Sequence, residues 1–426
     1  MQQLRATALD EAFVNLANDA VMSVHFEVRV AGRLDADTLT RAIRTAFAAH
    51  PLSRARLRPA SLTTRTLTWQ IADEPDHFAL EVTDEPADTV RARLQSIAPD
   101  LAASPPLLAA LVREDGGDRL ILNFHHAAFD GMSAVRFTTS IAQAYSGEPV
   151  QISGPPVEQA RDLRALVGSH SIDDLMPRVK KVGKDMLNRR SIARIAPDGG
   201  ARTGRDHLVS HLRFTAEEVA AISARRPAKA TLNDIAIAAH ALTIVAWNAA
   251  HDAKAGDSVS VLMPVNLRAA EWSGHVVSNF ASYLTIFVPT DVDDLIRATE
   301  MVRDETTVVK DNGAAGWIVD ILEPGNKLPA ALKRGLTSML PLVERQFVET
   351  TALSNLGRLT IGDFGAAGAV TEVWFSPPPL SPTVPIAVGV AGMGGELFVG
   401  FRGDRRALDQ AALDRFAASY RQTLLG

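Results

Sequence analysis

The chain has no cysteine in 426 residues. That excludes a thiolate nucleophile, disulfide staples and cysteine-ligated zinc. Aromatic residues make up only 6 % of the chain, which disfavours a broad stacking platform for large planar ligands. No uninterrupted apolar stretch reaches the ~20 residues that a bilayer span requires. The segment from Met1 to Thr7 lacks the apolar core of a secretory leader, so a cytoplasmic location is expected. No block of single-sign charge occurs, and a net charge of -5 gives no electrostatic reason to expect a nucleic-acid partner. What remains is an ordinary globular composition, 46 % hydrophobic and 22 % charged. Its length exceeds what one core supports, so two domains are the expectation.

Periodicity divides the chain in the same way. From Ser23 to Val30, Val24, Phe26, Val28 and Val30 alternate with Ser23, His25, Glu27 and Arg29, the pattern of a half-buried strand. Leu39, Ile43 and Phe47 mark a helix that ends at His50-Pro51, and a further helix is predicted over 88–101. Strands at 107–112 and 119–124 flank a turn at Asp115-Gly116-Gly117-Asp118. A polar tract then opens at Gly154-Pro155-Pro156, carries Arg178, Lys180, Lys181, Lys184, Arg189, Arg190 and Arg194, and closes at Pro197-Asp198-Gly199-Gly200. It reads as a crossover whose basic run is a solvated helix face, with contact to an anionic donor as the alternative. The second half repeats the strand-and-helix style. Thr231 caps a long helix through Ile235, Ala239, Leu242 and Trp247, and Leu413, Phe416, Tyr420 and Leu424 stripe the last one. Predicted boundaries are 1–153, 154–206 and 207–426, each outer part an α/β (α+β) sandwich with mixed sheets.

The chemistry concentrates in His125-His126-Ala127-Ala128-Phe129-Asp130-Gly131. This segment follows the apolar strand run Leu120–Phe124 and precedes a helix over 134–145, for which Ser133 is the predicted N-cap. Neighbouring strand residues point to opposite faces, so only one histidine can face a given cavity. That suits a single general base better than a pair of ligands on one metal, and no metal is expected.

The His-His-x-x-x-Asp-Gly pattern resembles the signature of the thioester-dependent acyltransferase superfamily. That group includes condensation domains, polyketide-associated acyltransferases and wax ester synthases, on the chloramphenicol acetyltransferase fold. His50-Pro51-Leu52-Ser53-Arg54-Ala55-Arg56-Leu57 is similar to the turn after the family's first helix. Met263-Pro264-Val265-Asn266-Leu267-Arg268 resembles its PVNLR strand end, and Ser278-Asn279-Phe280 its GNF segment, with serine in place of glycine. Ser354-Asn355-Leu356-Gly357 resembles a late SN-G element. The opening element of synthetase-embedded condensation domains is absent. Leu9-Asp10-Glu11-Ala12-Phe13 looks more like the start of the free-standing members.

The resemblance implies two acetyltransferase-like subdomains with an active-site tunnel between them. It assigns the general base to His126, whose imidazole would take a proton from an alcohol or amine attacking an acyl thioester. Gly131 would contribute a backbone N–H to the oxyanion, and Ser354 is a further candidate for that contact. His125, Asp130, Arg268 and Asn266 are read as structural, with Asp130 paired to Arg268 rather than orienting the base as in a triad. No bound cofactor is expected; acyl-CoA or a phosphopantetheinyl thioester is the co-substrate. The rival reading is a non-catalytic docking module for a carrier-protein assembly line. Hydrolysis by a histidine-activated water is a third, although no Gly-x-Ser-x-Gly elbow is present.

Overall fold

The computed structural model describes residues 1–17, 20–61, 64–167, 192–201, 206–272, 275–311, 319, 349–381 and 383–426. The first half runs β1 (Gln2–Arg5), α1 (Ala8–Leu16), β2 (Ser23–Val30), α2 (Ala36–Ala49), β3 (Ala55–Leu57), β4 (Thr68–Ile71), β5 (Leu80–Thr83) and α3 (Ala87–Gln95). It continues through β6 (Leu107–Val112), β7 (Arg119–His125) and α4 (Gly131–Tyr145). Short helices α5 (Val157–Ala160) and α6 (Leu163–Val167) lead out of it. The second half comprises β8 (His207–Phe214), α7 (Ala216–Ala224), α8 (Leu232–Ala250), β9 (Ser258–Asn266), β10 (Ala281–Pro289) and α9 (Leu295–Asp311). It closes with β11 (Thr351–Arg358), β12 (Val370–Ser376), β13 (Ile386–Met393), β14 (Glu396–Asp404) and α10 (Gln410–Leu425).

Two mixed sheets carry the molecule. One has five strands in the order β12-β2-β7-β6-β5 and the other six, β10-β9-β11-β13-β14-β8. A small sheet, β1-β4-β3, lies beside the first. Phe26, Phe47, Phe124 and Phe137 anchor one core, and Ile237, Ile286, Phe401 and Phe416 the other. Helix α10 buries the predicted stripe of Leu413, Phe416, Tyr420 and Leu424. The predicted cap Thr231 accepts a hydrogen bond from Asp234 N at the start of α8.

Strand β12 belongs to the second half in sequence yet pairs antiparallel with β2, Phe375 opposite Phe26. Glycine makes this crossing possible. A Cβ added at Gly389 would lie 2.1 Å from the Phe375 carbonyl oxygen, and one at Gly400 2.8 Å from it. The backbones of the two sheets therefore meet where only glycine fits.

Three local expectations change. The polar face of β2 is buried rather than half-exposed, because Glu27 receives Arg91 and Arg119, while Ser23 receives Arg402. Burial opposes ionisation of Glu27, but Arg91, His25 and Arg119 together outweigh it and hold the carboxyl well below the usual range. Helix α3 stops at Gln95, short of the predicted 101, with Pro99 disfavouring helical backbone at Ala98. Helix α4 starts at Gly131 and its N-cap is Asp130, not Ser133: the carboxylate accepts from Ser133 N at 2.8 Å. Of the basic tract, Arg178, Lys180, Lys181, Lys184, Arg189 and Arg190 lie outside the described residues. Arg194 donates to the Glu349 carbonyl.

Candidate active site

Strand β7 ends at His125, which pairs with Ser23 of β2. The next amide, His126 N, donates to Met22 O at 2.9 Å, so the chain leaves the sheet with its backbone still tied to β2. His125 is buried, and its Nδ1 accepts from Ala127 N at 3.1 Å, shaping the turn. Burial, reinforced by the neighbouring His126, pushes it down to about 3. It stays neutral and inward.

His126 is half-buried, and its ring makes no hydrogen bond to another described residue; the buried Nδ1 faces only its own backbone carbonyl. Instead, Phe13 of α1 stacks on it, centroids 3.9 Å apart and planes within 12°. Burial lowers the imidazole to about 4, reinforced by Arg402 and opposed by its own backbone carbonyl and by Asp130. At neutral pH the ring is therefore uncharged and holds a lone pair for proton transfer.

Asp130 and Arg268 form a buried bidentate pair, Nη1 to Oδ2 at 2.6 Å and Nη2 to Oδ1 at 3.0 Å. Amides of Ser133 and Phe280 also donate to the carboxylate. The guanidinium goes on to Ser133 Oγ and the carbonyls of Val276 and Ser278, and it lies 4.4 Å over the Phe280 ring. Asn266 Oδ1 accepts from both Arg268 N and Arg268 Nη1. Burial works against the Asp130 charge, but Arg268 and the amide donors prevail and keep its carboxyl below the ordinary value. One carboxylate thus caps α4, fixes the loop after β9 and joins the two halves. It cannot also serve as a close hydrogen-bond partner for His126.

Gly131 opens α4, where the first N–H groups lack helical partners and the helix dipole is positive. A Cβ there would come 2.6 Å from Leu356 Cδ2 and 3.2 Å from the Phe375 ring. Any larger residue would have to push the Leu356 side chain aside and press on the Phe375 ring. Ser354 lies two residues before Leu356 on β11 and so shares its face; it is 8 % exposed and sits opposite Gly389. Segments of both halves thereby converge on the start of α4.

Sequence reasoning did not single out Phe13 or Arg402. Arg402 of β14 is fully buried and donates to the Ser23 carbonyl and hydroxyl, the Gln95 carbonyl and His207 Nδ1. Burial pulls it down to about 9, so it is charged at neutral pH. An arginine directly after the apolar run Leu397–Phe401, still within one strand, was the available signal. Among the described residues, no group of three or more His, Asp or Glu is placed to hold a metal ion. A cleft of about 330 Å³ on α3 and β8, lined by Arg93, Ser96, His207 and Arg405, touches none of the candidate residues. No described helix is long and apolar enough to cross a membrane.

Comparison with known proteins agrees with this architecture. The condensation-domain family model matches residues 15–159. Two uncharacterized proteins of Mycobacterium tuberculosis, from two strains, are each 52 % identical over 426 residues, covering 100 % of this chain and 99 % of theirs. The first condensation domain of the calcium-dependent antibiotic synthetase, in complex with a substrate analogue, superposes with a TM-score of 0.72 at 17 % identity, over 100 % of this chain and 96 % of that one. The epimerization domain from the third module of tyrocidine synthetase B gives 0.71 at 15 %, with the same coverage. A starter condensation domain of rhizomide synthetase, bound to C8-CoA and Leu-SNAC, gives 0.71 at 14 %, over 99 % of this chain and 94 % of that one. The chain belongs to one family with the mycobacterial proteins; a condensation-domain model matches its residues 15–159, and its fold is that of condensation domains from end to end.

Proposed function

We propose that this chain is an acyltransferase that moves an acyl group from a CoA or carrier-protein thioester to a hydroxyl or amine, with His126 as general base. The observation that carries this reading is the state of His126: a neutral imidazole with no hydrogen bond to another residue, next to the clamped start of α4. Its own carbonyl favours a proton on Nδ1, which leaves the Nε2 lone pair as the base.

In the reaction, the acceptor oxygen or nitrogen forms a bond to the thioester carbonyl carbon while Nε2 takes its proton. The negative charge on the carbonyl oxygen is met by the N–H of Gly131, at the positive end of α4, with Ser354 as a second donor. Collapse breaks the carbon–sulfur bond, and the thiolate recovers the proton from His126. No acyl-enzyme is needed. Asp130 and Arg268 do not touch the substrate in this scheme; they hold the motif loop against the second half. The acyl-CoA bound to the rhizomide starter domain favours a thioester donor of this kind.

The test is free-thiol release from acyl-CoAs of graded length, with pooled alcohol and amine acceptors, for wild type and His126→Ala. Acceptor-dependent release that disappears in the variant supports the proposal. Equal release without acceptor would make the protein a thioester hydrolase instead.

A further inference from the structure

A general base normally has a third group that fixes its ring through the other nitrogen. No other residue does this for His126: its buried Nδ1 faces only its own backbone carbonyl, and Asp130 is committed to Arg268 and two backbone amides. What the ring does have is Phe13, stacked nearly parallel at 3.9 Å. We propose that Phe13 is a positioning residue for His126, an aromatic face standing where a side-chain hydrogen-bond partner would otherwise fix the ring; this rests on the reading of His126 as the base.

The geometry suits that task. Stacking occupies the π face of the imidazole and leaves the in-plane lone pair of Nε2 open to an acceptor. It restrains tilting of the ring, the displacement that would most spoil proton transfer. A stack is useful only if its support is rigid, and α1 is unusually well fastened for a nine-residue helix. Thr7 caps it in a reciprocal box with Asp10. The same Asp10 carboxylate is buried and accepts from Trp69 Nε1 at 2.8 Å and Arg161 Nη2 at 2.5 Å. Glu11 accepts from Leu67 N at 2.7 Å. Phe13, three residues beyond Asp10, projects from a neighbouring position of the same helix surface.

Arg161 extends the connection. Its Nη1 donates to Ser278 Oγ at 2.7 Å, and the Ser278 carbonyl accepts from Arg268 Nη2 at 2.8 Å. The helix that holds the stack and the pair that holds the motif loop are therefore fixed to one short segment, 276–280. Ring and backbone of His126 are positioned from a common frame.

The experiment combines kinetics with histidine NMR on Phe13→Leu and Phe13→Trp, with Phe13→Ala added for the titration. Leucine keeps apolar bulk but offers no planar face, and tryptophan restores one. Phe13→Leu should lower kcat about tenfold while KM stays within about twofold, as expected of lost alignment rather than lost binding. Phe13→Trp should recover most of the loss. Removing the ring in Phe13→Ala also admits water, so the His126 titration should rise from about 4 toward the free-imidazole range. Asp130 and Arg402, which also act on His126, and the adjacent His125 are unchanged in all three proteins. The NMR arm needs no turnover, so it remains decisive even if another residue proves to be the base. A wild-type kcat in Phe13→Leu, or an unmoved His126 titration in Phe13→Ala, overturns the proposal.

Discussion

Replacing Arg268 with alanine removes the only side-chain cation that touches Asp130 among the described residues. The loss has three parts. Asp130 keeps two amide donors but becomes a buried charge without a counter-ion. The Val276 carbonyl loses its donor, the Ser278 carbonyl keeps only Ser133 Oγ, and Phe280 loses the cation above its ring. Breaking a buried pair on one side costs about 3–5 kcal/mol. For 426 residues unfolding together, the entropy of unfolding is ~0.9 kcal/mol/K, so the melting temperature should fall by ~3–6 °C. Turnover should fall with it, since the pair holds the start of α4. Calorimetry on Arg268→Ala, Asp130→Asn and the double variant checks the reasoning. The double variant should cost clearly less than the two single losses added together, because the second change removes an already orphaned group. Arg268→Ala that melts like wild type, or strictly additive losses, would refute the clamp.

Other outcomes follow from the same site. The histidines His50, His125, His211 and His240 are pushed by burial to about 3 and His126 to about 4. The unfolded chain binds protons at these positions below ~6.5 while the folded protein does not, so stability should be full above that pH and fall steeply toward 4 in acid titrations followed by circular dichroism. The same sign applies to rate: kcat/KM should be flat near neutrality with an acid limb near 4, and a limb near 6.5 would mean that His126 is solvated. Gly131→Ala should cost about 1–3 kcal/mol through its collision with Leu356 Cδ2, and pairing it with Leu356→Ala should return part of that in the melting temperature.

Much of this fold can be read from periodicity. The strands over 23–30 and 107–112, the cap at Thr231 and the stripe on α10 all follow local rules that packing does not override. Where local rules fail, a distant partner is responsible. The polar side of β2 looks solvent-facing until Arg91, Arg119 and Arg402 arrive from other elements. Ser133 looks like a cap until Asp130 is seen to accept its amide. The docking of β12 on β2 joins segments about 340 residues apart, which no window of sequence reveals. The site divides in the same manner. His126, Asp130, Gly131 and Arg268 stand out as motif residues. Phe13 and Arg402 act through contacts that the chain makes only once folded.

Everything here turns on His126 accepting the acceptor's proton in an otherwise intact site. The most direct test is imidazole rescue of His126→Ala under single-turnover conditions with a reactive thioester and acceptor pair. The variant should fold and melt like wild type, lose about 10²–10⁴ in rate, and regain turnover in proportion to added neutral imidazole. Turnover at the wild-type rate in His126→Ala would contradict the claim outright.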